Sequence, residues 1–304
     1  MKYFGFLLII LLSFSSCKKE ESIRREKPLI VTTTSILADG IKQLVGDLAD
    51  VKPLMPAGVD PHLYKASVRD LDLLTEADLV VYHGLFLEGK MTEIFEKLTY
   101  SQQLINVSEG ISHDQLIRSG PESHSADPHI WFDIKLWSEA LAYAAEELKK
   151  WKPEFRSSIE TNSNIYQKKL SELHQKAQTL VNELNSKNQV LITAHDAFAY
   201  FGKSYGMKVF ALQGLSTLSE PGLRDLTELM NTIQEYQVKA IFAEQTISPK
   251  ALKAVANAAQ EKNYSVKVAG PLFTDSLDAE GTEAGNYLGM FEYNLLTIYN
   301  NLLP

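Results

Sequence analysis

From Pro153 to Lys187 the chain reads PEFRSSIETNSNIYQKKLSELHQKAQTLVNELNSK, with no glycine and no proline after the first residue. Apolar residues recur at Phe155, Ile159, Tyr166, Leu170, Leu173, Ala177, Leu180 and Leu184, with charged and amide residues between them. Steps of three, four and one seven set them on one stripe of a helix, and Pro153 suits a first turn. An uninterrupted helix of about 34 residues would be roughly 50 Å long. That is too long for one lobe, so the spacing predicts a rigid strut packed along two. A coiled-coil partner is the competing reading, but only one stretch of this kind is present.

On either side of the strut, short apolar runs alternate with helical patterns. Ahead of it the strand candidates are LIVTTT (29–34), VKPLM (51–55), DLVVYHG (78–84) and QLINVS (103–108), with helical stretches at 36–48 and 66–77. After it they are QVLITAHD (189–196), MKVFALQG (207–214), VKAIFAEQ (238–245) and SVKVAGPLF (265–273), separated by helical stretches near 197–205, 221–236 and 249–262 and closed by 282–302. This rhythm predicts an α/β protein, with two (β/α)4 lobes carrying parallel four-stranded sheets, joined by one long backbone helix. The expected boundaries are 29–152, 153–188 and 189–304.

The 304 residues are 45% hydrophobic and 22% charged, which places the chain among globular proteins rather than disordered or fibrous ones. A net charge of -8 argues against a non-specific nucleic-acid binder, because neutralising phosphates needs a basic face. The single cysteine, Cys17, allows neither an intrachain disulfide nor a multi-thiolate metal site, so the chemistry must use oxygen and nitrogen donors.

Residues 1–17, MKYFGFLLIILLSFSSC, have one lysine, an apolar run from Tyr3 to Leu12, and small residues before the cysteine. The run is shorter than the roughly 20 residues a membrane span needs, so it reads as a secretory signal peptide over 1–16. The segment resembles a lipoprotein signal, which implies lipidation of Cys17. The charged stretch KKEESIRREKP has no apolar periodicity, so 17–28 is expected to be a lipidated tether. The folded part is then extracytoplasmic and held to a membrane.

Of seven histidines, His113 and His124 lie in a polar stretch read as loop, and His174 among polar neighbours is expected to be solvated. His83 ends a strand, as a pocket neighbour or merely a strand-end residue. His62 follows the second strand in GVDPHLY, His129 the fourth in ADPHIWFD, and His195 ends the next in ITAHDAF. Asp275 in LFTDSL follows the last strand. Ligands of parallel α/β sheets gather at the carboxyl ends of strands, and proline before His62 and His129 fixes the local backbone. Three imidazoles and one carboxylate, two from each lobe, would make a four-coordinate metal site in the interlobe cleft. Spacings of about 65 to 80 residues, with no HExxH, make this a weak motif taken alone.

At these residues the chain resembles the metal-binding solute-binding lipoproteins of ABC importers typified by TroA, the zinc and manganese class. The matching segments include TTTSILAD, GVDPHLY, DPHIWFDIKLWS, ITAHDAFAYFGKSYG, AIFAEQTISPK and LFTDSLDAEGTEAGNYLGMFEYN, from about Leu29 to Leu303. The resemblance implies capture of one Zn²⁺ or Mn²⁺ ion as cargo, held by His62, His129, His195 and Asp275. It also implies an ABC permease and its ATPase as partners, and the absence of a P-loop fits an energy source outside this chain. A monomer is expected. Family members often carry Asn where His83 stands. The zinc branch commonly has a long His-rich loop, absent here, and the manganese branch usually has Glu where this chain has His195.

Glu244, Asp60 and Asp196 are candidates to hold the imidazole tautomers, with His83 nearby. For Asp133, ahead of IKLWSEA, a helix cap is favoured. A zinc hydrolase would need an open ligand position and a general base, yet Asp275 closes the fourth position. A siderophore-binding protein of the same architecture would favour Arg and aromatic side chains around a larger pocket.

Overall fold

The structure is a computed structural model that describes residues 25–118 and 126–303. The signal peptide, Cys17 with most of its tether, and His124 lie outside the described residues. The first lobe runs β1 (Leu29–Thr34), α1 (Ser35–Val45), β2 (Asp50–Met55), α2 (Val68–Glu76), β3 (Leu79–Tyr82), α3 (Thr92–Leu98) and β4 (Leu104–Asn106). Then come α4 (Ile134–Trp151) and α5 (Arg156–Glu183). The second lobe runs β5 (Val190–His195), α6 (Ala199–Tyr205), β6 (Lys208–Gln213), α7 (Leu223–Glu235), β7 (Ala240–Glu244), α8 (Lys250–Glu261), β8 (Lys267–Leu272) and α9 (Tyr287–Leu302).

Both sheets are parallel and share one order, β2-β1-β3-β4 and β6-β5-β7-β8. In each, the first strand in sequence lies inside the sheet with a neighbour on both sides, so the order reverses beside it. Such switch points open a crevice at the carboxyl ends of the strands. The buried LIVTTT and VLITAH runs fit interior strands covered on both faces.

The strut is present, with a 3-10 turn at Pro153–Phe155 ahead of 28 residues of α-helix, roughly 42 Å. Its buried stripe of Ile159, Tyr166, Leu170, Leu173, Ala177 and Val181 packs on α1 and α4 from the first lobe and on α6 and α9 from the second. One apolar core therefore runs from Ile30 through Trp137 and Leu170 to Phe291, continuous across both lobes. Smaller clusters back the outer face of each sheet. At Gly40 a Cβ would stand 2.8 Å from Leu141, so the missing side chain lets α1 lie close against α4. Among the described residues no helix is long and apolar enough to cross a membrane.

Two expectations need correction. His174 is not solvated: it is 8% exposed, and its Nδ1 lies 3.1 Å from the Tyr205 hydroxyl of α6. It shares the buried stripe with Leu170 and Ala177, four residues before it and three after. His129 does not leave a strand end directly. It lies well downstream of β4, just ahead of a 3-10 turn at Ile130–Phe132 that leads into α4.

Candidate metal centre

His62 and His129 sit in the same local device. In each Asp-Pro-His triplet the aspartate Oδ1 accepts the histidine backbone N–H, at 2.8 Å for Asp60 to His62 and 2.9 Å for Asp127 to His129. This closes an Asx-type turn, and the intervening proline fixes the backbone between the partners. Beyond His129, Asp133 caps α4 by accepting the Lys135 N–H at 2.9 Å, and the Trp131 indole donates to the Thr274 carbonyl at 2.9 Å. The last bond ties the His129 turn to the segment that carries Asp275.

His195 ends β5, and its backbone N–H donates to Glu244 Oε1 at 2.8 Å at the end of neighbouring β7. The second Glu244 oxygen takes the His195 ring Nδ1. Asp275 follows β8, and Asn294 of α9 brackets the chain there by bonding both the N–H and the carbonyl of Phe273.

These elements bring the four residues into one buried cluster whose candidate ligand atoms all lie within 4.8 Å of one another. His62 is 6% exposed, and His129, His195 and Asp275 are fully buried. The Nε2 atoms of His62 and His195 lie 3.2 and 3.4 Å from that of His129. The Asp275 oxygens lie 3.5 Å from His129 Nε2 and 3.4 Å from His195 Nε2. A tetrahedral ion with nitrogens at about 2.0–2.1 Å spaces its donors roughly 3.3 Å apart, so the cluster has the dimensions of a metal site. Among the described residues neither Asp275 oxygen accepts a well-formed hydrogen bond, and each only faces an imidazole Nε2. A buried carboxylate without partners is costly unless a cation satisfies it.

Residues 30–301 match the family described as zinc-uptake complex component A, periplasmic (ZnuA). The chain belongs to the ZnuA family. The manganese-binding lipoprotein MntA of Bacillus subtilis (strain 168) is 42% identical over 269 residues, which cover 88% of each chain. The zinc-binding protein TroA of Treponema pallidum (strain Nichols) is 40% identical over 272 residues, 90% of this chain and 88% of that one. A solved structure of periplasmic TroA superposes with a TM-score of 0.88 and covers 91% of this chain and 100% of its own. The ZnuA family consists of substrate-binding proteins of ABC importers, so this chain is such a component and not an enzyme.

Within this ZnuA-family site the protonation states differ sharply. Burial lowers His62 to about 4. Burial also acts to lower His129, but Asp127 and Asp275 outweigh it and raise the imidazole to about 9. At His195 burial is likewise overcome, by Glu244 and Asp275, and the ring is held well above the usual imidazole range. For Asp275 burial acts upward, yet the His195 and His129 imidazoles that face it hold it well below the usual carboxylate range.

The candidates for holding the imidazoles sort unevenly. Glu244 binds the His195 ring directly. Asp60 holds the His62 backbone and turns its other oxygen elsewhere. Asp196 uses its backbone N–H on the Gly214 carbonyl at 3.3 Å, and among the described residues its carboxylate accepts no hydrogen bond from an imidazole. His83 is buried between Trp131 and Trp137, with ring centroids at 5.1 and 5.8 Å, and its Nε2 bonds the Thr34 hydroxyl at 2.8 Å. Burial lowers it to about 3, so it is a neutral core residue lying behind Trp131.

Asp127 was missed. Its Oδ1 accepts from both the backbone N–H and the ring Nδ1 of His129, at 2.9 and 2.7 Å. The signal was in the sequence, since Asp127 stands in ADPHIW where Asp60 stands in VDPHLY.

Proposed function

We propose that His62, His129, His195 and Asp275 together bind one divalent cation as cargo, Zn²⁺ or Mn²⁺, which the protein carries to a membrane permease. The observation that carries this reading is the convergence of four buried donors within 4.8 Å of one another, with both Asp275 oxygens facing the Nε2 atoms of His129 and His195. Glu244 and Asp127 take the Nδ1 atoms of His195 and His129, so the Nε2 lone pairs are free to point inward once those rings are neutral. Three imidazoles suit Zn²⁺, while the carboxylate adds affinity for the harder Mn²⁺. By the Irving–Williams order Zn²⁺ binds more tightly in solution, so affinity alone does not name the cargo. Two relatives of similar identity, one named for manganese and one for zinc, support both ions equally. A chelate or siderophore fits poorly, because the donors converge within the span of a single ion.

The lobes 29–152 and 189–304, joined by the strut at 153–188, load the ion in the cleft. The loaded lobes dock on the permease while its ATPase supplies the energy. Residues 1–16 are removed as a signal peptide, and Cys17 is lipidated so that 17–28 tether a monomer to the membrane outside the cytoplasm. The lipoprotein name of the Bacillus relative supports the anchor. Metal content of the protein from its native host, beside zinc and manganese uptake in a deletion strain, tests the cargo. Loss of neither uptake on deletion would refute the transport role.

A further inference from the structure

Asp60 divides its two oxygens between the lobes. Oδ1 holds the backbone N–H of His62 in its own turn, and Oδ2 accepts a hydrogen bond from the Thr217 hydroxyl at 2.6 Å. Thr217 belongs to the second lobe, in the loop 214–222 between β6 and α7. The other hydrogen bonds of that loop stay within its own lobe: Asp196 N–H to Gly214 O, Leu218 N–H to Ser216 Oγ, Gln213 Nε2 to Ser219 O, Gly222 N–H to Asp225 and Leu226 N–H to Gly222 O. Among the described residues, Thr217 to Asp60 is therefore the hydrogen bond that fastens this loop to the first lobe.

The loop is not held down by a core. Leu218, next to Thr217, is 58% exposed, and Leu63, next to His62, is 47% exposed across the junction. Behind them lies a cavity of about 140 Å³, lined among others by Asp60, Ala194, Gln213, Thr217, Glu220 and Thr246. None of the four donors lines this cavity, but Asp60, which holds the His62 backbone N–H, and Ala194, next to His195, do. Loop 214–222 covers it from one lobe while its fastening point holds the His62 turn of the other.

We propose that the Thr217 hydroxyl, bonded to Asp60, is a latch that sets how fast the ion is exchanged. This rests on the assignment of the four residues above as the cargo site. While the bond is made, loop 214–222 closes the cavity and the His62 turn stays in place. When it breaks, loop 214–222 lifts from the His62 turn while the lobes stay packed, and water reaches His62, the most exposed of the four donors. Thr217 does not belong to the donor cluster, so its loss leaves the number of ions bound unchanged. A hydrogen bond to a charged carboxylate is among the stronger ones, so its removal should speed exchange by about tenfold to a hundredfold.

The test is stopped-flow release of Zn²⁺ from the loaded full chain into an excess of fluorescent zinc chelator, at several chelator concentrations. Thr217→Val keeps the branched shape and removes the hydroxyl. It should bind one ion, keep the apo melting temperature, and release zinc at least about tenfold faster. Thr217→Ser, which restores the hydroxyl, should release within about threefold of the native rate. A Thr217→Val rate within twofold of native overturns the latch while the cargo site stands. So does a Ser variant as fast as the Val variant, since the methyl would then be what matters. If the native chain binds no zinc stoichiometrically, the site assignment itself fails and the latch falls with it.

Discussion

Glu244 grips His195 twice, with Oε1 on its backbone N–H at 2.8 Å and Oε2 on its ring Nδ1. Both residues end adjacent strands of one parallel sheet, so the imidazole is fixed by the most rigid part of the second lobe. His62 has no such carboxylate on its ring among the described residues, and Asp60 holds only its backbone N–H.

This difference separates two variants that remove one ligand each. His62→Ala and His195→Ala should both lower metal affinity by orders of magnitude while the chain still folds. His195→Ala also leaves Glu244 and Asp275 buried together without the cation between them, so its apo melting temperature should fall, whereas His62→Ala should leave it near native. Calorimetric titration with Zn²⁺ and thermal unfolding check both arms. Unchanged affinity in either variant contradicts the ligand assignment.

Asp127→Asn tests the residue that the sequence reading overlooked. Loss of a carboxylate behind a ligating imidazole costs about 10–100-fold in metal affinity. Asp127 also helps to raise His129, so the variant should carry its His129 proton less tightly and release fewer protons on loading. Titration in buffers of different ionisation enthalpy measures both effects.

Metal binding should depend on pH well above the range that ordinary histidines suggest. Free imidazoles would lose affinity only below about 6. Here His129 is raised to about 9 and His195 is held well above its usual range, so the apo protein favours protons on these rings. Loading at pH 7 must therefore expel protons, and affinity should keep rising as pH goes above 7. The apo protein responds with the opposite sign. His129 is raised on folding, so its contribution to apo stability is complete below about 6.5 and is lost as pH rises through about 9. Apo melting temperatures measured from pH 6.5 to 9 should therefore fall while zinc affinity climbs.

The β-α rhythm, the strut and the strand-end positions of His195 and Asp275 were legible because each follows from local apolar periodicity. Helix α4 is marked in the sequence only by its Asp133 cap, although Ile134, Trp137, Leu141, Ala144 and Leu148 repeat by threes and fours. His174 was misread by its sequence neighbours, when its period relative to Leu170 and Ala177 places it on the buried stripe. Asp60 and Asp127 show a harder limit. Their triplets are alike in sequence, yet one carboxylate turns to its own imidazole and the other across the cleft to Thr217. Thr217, the partner that takes the second Asp60 oxygen, stands 157 residues further along the chain.

A core that is continuous through α5 leaves little freedom for the lobes to part. Small-angle scattering of apo and zinc-loaded protein should give radii of gyration that differ by no more than about 1 Å, against the larger change of hinge closure between strand-linked lobes. A larger change would show that the strut bends.

The most direct test is anomalous diffraction at the zinc edge from crystals grown with one equivalent of Zn²⁺. The account predicts one dominant peak in the cleft, about 2.0–2.2 Å from the Nε2 atoms of His62, His129 and His195 and from an Asp275 oxygen. A dominant peak elsewhere, or one in the cleft that leaves Asp275 uncoordinated, would contradict it.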